Sequence, residues 1–238
     1  MKNTVIHKAD SRGHADHGWL IAYHSFSFAS WFNPNRIQFG VLRVLNDDTI
    51  AAGMGFGTHP HDNMEIITIP LEGDLAHKDS MGNAATIKTG DVQVMSAGTG
   101  IQHSEFNPNH DQHTKLFQIW LFPKYRNVEP RYQQITLDQS LQKNDFAQIL
   151  SPNPDDAGVW IHQDAWFYLS DFDKDFSKKL SLKKEGNGFY IMNIEGEIEV
   201  NGEKLERRDA IGIWETNEIE IKANSNAKFL VMEIPMEQ

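Results

Sequence analysis

Short, strand-like segments separated by turn residues dominate this 238-residue sequence, and long helical patterns are scarce. The segments are rich in β-branched and aromatic residues and are bounded by Gly, Asn, Asp or Pro, as is typical of β-strands joined by tight turns. This spacing predicts an antiparallel sandwich or barrel. The clearest segments are FGVLRVLND, NMEIITIPLEG, ATIKTGDVQVMSAG, KLFQIWLFP, GFYIMNIEGEIEVNG, DAIGIWE, EIEIKA and AKFLVMEIP. Residues 137–150 are ambiguous and could hold a helical turn.

The composition narrows the classes of function. There are 22 basic and 33 acidic side chains, a formal net charge of −11, which disfavours direct nucleic-acid binding because phosphate backbones need basic patches. No apolar run approaches the about 20 residues of a membrane span, and the N-terminal MKNTVIHKAD lacks the apolar core of a signal peptide. We therefore expect no membrane segment and a cytoplasmic location. Cysteine is absent, so a metal ion would have to be held by His, Asp or Glu.

A loose internal repeat divides the chain. LEGDLAHKDSMGNAATIKTGDVQVMSAG begins at Leu71, IEGEIEVNGEKLERRDAIGIWETNEIEI begins at Ile194, and in each an aspartate, Asp91 or Asp209, leads into an apolar strand. The ordered match of several features predicts two related β-domains, divided within FPKYRNVEPRYQQ. We place residues 1–130 in the first domain and residues 131–238 in the second.

The histidines are unevenly distributed between these halves. Ten of the eleven lie at or before His113, and only His162 lies in the second half. If the domains are duplicates, this distribution predicts metal chemistry in the first domain alone.

Two pairs of ligand-type residues stand out in the first half. His59 and His61 are two residues apart, as are His103 and Glu105, and each pair lies beside a Gly-rich turn. Residues i and i+2 of a strand point to the same face, so each pair can converge on one ion. Two such pairs facing each other would supply three neutral imidazoles and one carboxylate, and a divalent ion would leave the site at about +1 with positions for water or substrate.

The other histidines carry weaker patterns. His14, His17 and His24 lie in an aromatic-rich stretch and are interpreted as packing or hydrogen-bonding groups. We interpret His77, His110 and His113 as loop residues or solvated strand positions. Several Met and Phe side chains near the candidate ligands could line a pocket, although burial in the domain core is the commoner role for such residues. Those near in sequence are Met54, Phe56, Met64, Met95 and Phe106, and the aromatic residues Phe26, Phe28, Trp31 and Phe32 could form a flap or wall of the same pocket.

At these residues the chain resembles the cupin superfamily. The first cupin motif is matched by Gly53, His59, His61 and Glu65, with its closing glycine one residue late at Gly73. The second motif is matched by Gly100, His103 and Asn107, although Gly98 stands where proline is usual.

A closer resemblance is to the pirin family, and within it to the bacterial proteins with quercetin 2,3-dioxygenase activity. It is carried by RGHADHGWL, HSFSFASWFNPN, FGVLRVLNDD, GFGTHPHDNMEI, HKDSMGN and MSAGTGIQHSEFNP, and is weaker in the C-terminal half.

The resemblance implies a bicupin, an all-β protein of two stacked antiparallel β-barrels with few short helices and a metal in the N-terminal barrel alone. The general cupin pattern would make Glu65 the carboxylate ligand, whereas pirin-like proteins use the glutamate that maps onto Glu105. Because Glu105 also shares a strand face with His103, we assign it as ligand and catalytic base and leave Glu65 as a supporting or structural residue.

For activity, the resemblance implies a flavonol-type aromatic substrate, O₂ and one divalent ion. We expect Fe(II), with Mn, Ni, Co, Cu or Zn as alternatives. Two other functions stay open: a metal-binding regulatory protein that recognises a protein partner without turnover, and another cupin reaction on an unidentified small molecule.

Overall fold

The computed structural model describes residues 3–237. These residues form 22 strands and two 3₁₀ helices and contain no α-helix. The strands are β1 (Thr4–His7), β2 (Gly13–Asp16), β3 (Leu20–His24), β4 (Leu42–Ile50), β5 (Gly55–His61), β6 (Glu65–Glu72), β7 (Asp74–Asp79), β8 (Ala84–Lys88), β9 (Asp91–Ser96), β10 (Ile101–Phe106), β11 (Thr114–Leu121), β12 (Arg131–Thr136), β13 (Ala147–Ser151), β14 (Val159–Trp160), β15 (Trp166–Phe172), β16 (Ser177–Ser181), β17 (Asn187–Glu195), β18 (Ile198–Val200), β19 (Glu203–Leu205), β20 (Ala210–Ile213), β21 (Glu218–Ala223) and β22 (Ala227–Pro235). The 3₁₀ helices are Ala9–Ser11 and Gln139–Gln142, the second within the ambiguous segment 137–150.

The strands assemble into four sheets. The N-terminal half builds a seven-stranded sheet in the order β12-β9-β6-β11-β4-β3-β2 and a four-stranded sheet in the order β5-β10-β7-β8. The C-terminal half repeats this arrangement with β1-β20-β17-β22-β15-β13-β14 and β16-β21-β18-β19. The all-β class and the two cupin domains are therefore confirmed. Among the described residues, the hydrogen-bonded ladders leave the sheets open instead of closing them into continuous barrels.

The four sheets pack as layers, with the two seven-stranded sheets at the centre. Ile67 and Phe117 of one large sheet share a core with Tyr190 and Met232 of the other. Each small sheet covers the outer side of its large sheet. Burial of each large apolar side chain in these cores contributes about 1.5–3 kcal/mol before the entropy of ordering is counted.

Burial along each strand follows its layer. In β17 the segment Asn187–Ile194 is buried on both faces because it lies between two layers, and its sequence is a nearly continuous apolar run. In β21 the sequence EIEIKA alternates exposed and buried positions, since an outer sheet has one face in water.

Each domain also takes one strand from the other half of the chain. β1 pairs with β20 of the C-terminal sheet, and β12 pairs with β9 of the N-terminal sheet. β12 lies after residue 130, where we placed the domain boundary, but it belongs to the large sheet of the N-terminal domain. The boundary itself stays a proposal. Within the described residues no helix has the length and apolar character to cross a membrane.

Candidate metal centre

The pairing of β5 with β10 brings three of the predicted ligands together. His103 lies opposite His59 in the ladder, and Ile101 lies opposite His61. The imidazole centroids of His59 and His103 are 4.4 Å apart, and those of His61 and His103 are 4.9 Å apart. The ligand atoms of His59, His61 and His103 lie within 4.8 Å of one another. We call these three residues the histidine cluster.

An irregularity in β5 orients one member of the cluster. His103 pairs with His59, but Glu105 pairs with Phe56, so the ladder shifts by one residue between them. At this bulge the Nδ1–H of His59 donates to the Gly57 carbonyl at 2.8 Å. Bulges commonly re-aim side chains beside functional sites. His59 must therefore carry its proton on Nδ1, and this leaves the lone pair on its Nε2 free to bind a cation.

Burial keeps two members of the histidine cluster, His61 and His103, neutral. Burial first, and then the neighbouring His59 and His61, lower the pKa of His103 to about 2. Burial and His59 lower the pKa of His61 to about 4. Neither ring nitrogen of His103 has a hydrogen-bond partner among residues 3–237. A buried, neutral and unsatisfied imidazole suits a metal ion, which needs the unprotonated lone pair.

Glu105 lies at the inner side of the histidine cluster. Its side chain is buried, and its Oε2 accepts a hydrogen bond from Gln118 Nε2 at 2.8 Å. Oε1 has no partner in the described part of the chain. Burial raises the pKa of Glu105, and the contact with Gln118 partly offsets this. A carboxylate oxygen of Glu105 and ring nitrogens of His77 and His103 lie within 4.8 Å of one another. This second group shares His103 with the histidine cluster.

His77 is a member of the site that we misassigned. We interpreted it as a loop or solvated strand position, but its side chain is fully buried. β7 points it inward between Leu75 and Asp79, and its ladder partner is Glu105. The i, i+2 spacing of His77 and Asp79, directly after the Glu72–Gly73 turn, is the sequence signal that could have revealed it.

Glu65 lies on the other face of the large sheet. It alternates along β6 with Ile66 and shares its face with Ile67, which belongs to the core between the two large sheets. Ser96 Oγ donates to Glu65 Oε2 at 2.7 Å. Burial raises the pKa of Glu65 to about 7, with Ser96 and Arg131 opposing the shift. This position agrees with a structural role and not with membership of the histidine cluster.

Aromatic side chains surround the open side of the cluster. Trp120 packs edge-on against His61 with centroids 4.9 Å apart, and Phe28 packs edge-on against Trp120 at 5.4 Å. Phe56 lies 6.4 Å from His59. Of the residues proposed as pocket lining, Phe28 and Phe56 therefore approach the site, whereas Phe26 lies in the core between the domains. Trp120 was missed because a Trp inside an apolar strand is not distinguishable from core.

The residues present fit a bound metal ion. The structure offers three imidazoles, one carboxylate and no thiolate, and several of these buried atoms have no partner within residues 3–237. Such a mixed nitrogen and oxygen set accepts most divalent transition metals. Fold and site together define a two-domain cupin protein with a candidate metal centre in its N-terminal domain.

Comparison with known proteins identifies the family. A profile of the family described as Pirin matches residues 5–121, and one described as the quercetinase C-terminal cupin domain matches residues 148–234. The chain is 42% identical over 230 residues to a protein of Escherichia coli strain K12 named quercetin 2,3-dioxygenase, covering 97% of this chain and 98% of that protein. The chain belongs to the pirin family, as its motifs predicted.

Solved structures agree with this assignment. The crystal structure of YhhW from Escherichia coli has a TM-score of 0.93 and 41% identity and covers 99% of both chains. A structure described as bacterial pirin YhhW in complex with nickel(II) has a TM-score of 0.92 and 40% identity, covering 98% of this chain and 99% of that one.

Proposed function

We propose that this protein is a metal-dependent dioxygenase that opens the ring of a flavonol such as quercetin with O₂ and releases carbon monoxide. One observation carries the proposal: three histidines and a buried glutamate converge inside one domain of the described chain, and His103 and Glu105 keep unsatisfied atoms there. The name of the Escherichia coli relative, quercetin 2,3-dioxygenase, supports the choice of substrate class.

The proposed ligands of one divalent ion are His59, His61, His103 and Glu105. We expect Fe(II), with Ni, Mn, Co, Cu or Zn as alternatives, since the ligand types discriminate weakly among them. The nickel complex of YhhW supports a divalent ion at this kind of site. When bound, the ion would supply Lewis acidity that lowers the pKa of a hydroxyl group on the substrate.

Glu105 is the proposed proton acceptor. Gln118 holds its Oε2, which leaves Oε1 free to receive the proton of the flavonol hydroxyl. Burial raises the pKa of Glu105 when no ion is bound, and a carboxylate within reach of the substrate hydroxyl can act as a general base. The resulting enolate is electron-rich and reacts with O₂. Both oxygen atoms enter the ring-opened product, and one ring carbon leaves as carbon monoxide.

The aromatic side chains beside the cluster suit a flat substrate. Trp120 contacts His61 and Phe56 lies near His59, while Phe28 extends the aromatic surface behind Trp120. Apolar walls with few polar contacts are typical of sites for aromatic ligands, and edge-to-face contacts stabilise ring pairs by about 0.5–1.5 kcal/mol beyond area burial. This surface therefore favours a planar polyphenol over a sugar or a charged metabolite.

The test is a turnover assay on protein reconstituted with Fe(II), Ni(II), Mn(II), Co(II), Cu(II) or Zn(II). We expect flavonol loss, oxygen uptake and carbon monoxide in equal amounts with at least one metal. Glu105→Gln should reduce turnover more than metal content, because it removes the proton acceptor and keeps an amide oxygen. Absence of turnover with every metal, together with full metal occupancy, would reject the dioxygenase. A search for a metal-dependent protein partner would then be the next experiment.

A further inference from the structure

The Asp79 carboxylate at the end of β7 is fixed by the turn that follows it. Its Oδ1 accepts hydrogen bonds from the backbone N–H groups of Met81 and Asn83 at 2.9 and 3.0 Å. Its Oδ2 accepts from Asn83 Nδ2 at 2.8 Å and lies 3.3 Å from His77 Nε2. A carboxylate has about four acceptor sites. Asp79 is therefore saturated and has no capacity left for a further donor.

The imidazole of His77 is in turn fixed by Asp79. Because the Asp79 carboxylate can only accept, His77 must carry a proton on Nε2, which leaves Nδ1 as an acceptor in the neutral ring. Tyr132 of β12 packs on the ring, with centroids 4.9 Å apart and an interplanar angle of 31°. The His77 ring is thus locked in orientation, and its Nδ1 has no partner within the described chain.

His103 has the complementary requirement. Both of its ring nitrogens are buried and unpartnered among residues 3–237. If one nitrogen binds the metal, the other carries a hydrogen that needs an acceptor, and metal-binding histidines nearly always have such an acceptor. The second group of converging atoms contains His77, His103 and Glu105 within 4.8 Å of one another. Within this group Glu105 is assigned to the metal, and the neighbouring Asp79 is saturated, so His77 Nδ1 is the acceptor that remains.

We propose that His77 is a positioning residue of the metal centre, whose Nδ1 receives the ring N–H of His103, directly or through one water molecule. One ring nitrogen of His77 and one of His103 lie within 4.8 Å of each other, and the two ring centroids are 5.3 Å apart, a spacing that a direct hydrogen bond or a single bridging water can cover. A series of hydrogen bonds would then run from the turn at Met81–Asn83 through Asp79 and His77 to His103. This inference rests on the proposed metal site but not on the proposed substrate.

The C-terminal domain offers an internal comparison. In the N-terminal domain Glu105 of β10 lies opposite His77 of β7. In the C-terminal domain Ile221 of β21 lies opposite Val200 of β18, at the corresponding place in the same strand order. Where the ligand glutamate is replaced by an aliphatic residue, its histidine partner is replaced as well. His77 therefore belongs with the metal centre and not with the general requirements of the fold.

The experiment titrates Co(II) into metal-free protein and measures both the dissociation constant and the visible absorption spectrum of the bound ion. His77→Leu removes the acceptor, whereas His77→Asn keeps an amide oxygen near the Nδ1 position. We expect Leu to weaken Co(II) binding by about ten- to a hundredfold and to change the spectrum, and Asn to remain near wild type. His110→Leu, at an exposed histidine, is the control.

Wild-type affinity and spectrum in His77→Leu would overturn the inference. Equal weakening by Leu and Asn would also overturn it, because it would show a packing role only. If wild-type protein bound no Co(II), the metal centre would fail together with this inference. Since no flavonol is present in the titration, failure of the dioxygenase proposal would leave the result unaffected.

Discussion

The two domains share a strand order but differ in what lies between their sheets. Across the inner face of each large sheet, four side chains lie side by side on adjacent strands. In the N-terminal domain this row is Gln93, Thr68, Gln118 and Asn46. In the C-terminal domain the corresponding row is Ile211, Ile191, Val231 and Tyr168. One architecture thus encloses either a polar interior or an apolar core.

The polar interior carries a larger cost than the apolar core, where the Tyr168 hydroxyl is also buried without a partner in the described chain. Ring or side-chain atoms of His77, His103, Glu105, Thr68 and Gln93 are buried without a partner within the described residues. Each such atom destabilises the folded state by about 1–3 kcal/mol relative to a satisfied one. The apolar domain, with its large buried cluster, compensates for this by providing a second core and a broad interface. The N-terminal domain therefore encloses the candidate metal centre, and the C-terminal domain encloses an apolar core.

The largest effect on metal binding is expected from converting the N-terminal interior into the C-terminal one. The variant His77→Val, His103→Ile, Glu105→Ile and Gln118→Val copies Val200, Ile219, Ile221 and Val231. It should lose all stoichiometric metal by elemental analysis. Its free energy of unfolding without metal should exceed that of metal-free wild type by about 1–4 kcal/mol in urea melts, because unsatisfied polar groups are replaced by apolar ones. Retention of one metal per chain would place the centre elsewhere.

The reverse change should damage the C-terminal domain. Ile221→Glu introduces a carboxylate into a fully buried position surrounded by Val200, Ile219 and other apolar side chains. We expect a loss of about 3–5 kcal/mol at neutral pH, since the charge has no buried partner, and a smaller loss at pH 4, where the group is protonated. Ile221→Val is the size control and should cost about 1 kcal/mol. Urea unfolding at both pH values measures the difference, and a pH-independent loss would point to packing alone.

Two buried glutamates, one in each domain, test the comparison between the domains through the pH dependence of folding stability. Glu65 has one side-chain hydrogen bond, from Ser96, and burial raises its pKa from 4.5 to about 7. A raised folded-state pKa means that stability falls as pH rises from about 4.5 to about 7, and stays lower above that. The shift corresponds to about 3 kcal/mol. Relative to wild type, Glu65→Gln should therefore gain stability above pH 7 and match wild type near pH 4.

Glu233 of the C-terminal domain supplies the control for that experiment. Its two oxygens accept hydrogen bonds from the backbone N–H groups of Lys183 and Lys184 and from Asn187 Nδ2. A Gln at this position would set an NH₂ group against those donors. Burial raises the pKa of Glu233 as well, opposed by these hydrogen bonds, but loss of the acceptor should dominate, so Glu233→Gln should lower stability by about 1–3 kcal/mol. A gain in stability at high pH for Glu233→Gln, or none for Glu65→Gln, would contradict the contrast drawn between the two sites.

The fold class followed from the sequence because strand periodicity and turn residues are local signals. EIEIKA alternates since it forms an outer layer, and GFYIMNI is continuous since it lies between layers. The exchange of β1 and β12 could not be predicted, because local patterns do not specify which sheet a terminal strand joins. His77 was misassigned for a related reason. A polar residue facing a polar interior gives the same alternation as a polar residue facing water.

The repeat in the sequence has a structural explanation at its aspartates. Asp91 is buried and accepts hydrogen bonds from the Lys88 backbone N–H and from Thr136 and Gln134 of β12. Asp209 is likewise buried and accepts from the Glu206 backbone N–H and from two residues that follow β1, Lys8 and Ala9. Asp91 therefore links the turn before β9 to β12. Asp209 likewise links the turn before β20 to the residues that follow β1.

The smallest predicted effect tests this equivalence. Asp91→Ala and Asp209→Ala should each lower the free energy of unfolding by about 1–2 kcal/mol, because each leaves backbone and side-chain donors without their acceptor. Amide hydrogen exchange should separate the two variants by location. Asp91→Ala should accelerate exchange in β12 and leave β1 protected, and Asp209→Ala should do the opposite. Acceleration of both strands in both variants would mean that the exchanged strands open together, in which case the two domains form one cooperative unit and not two linked ones.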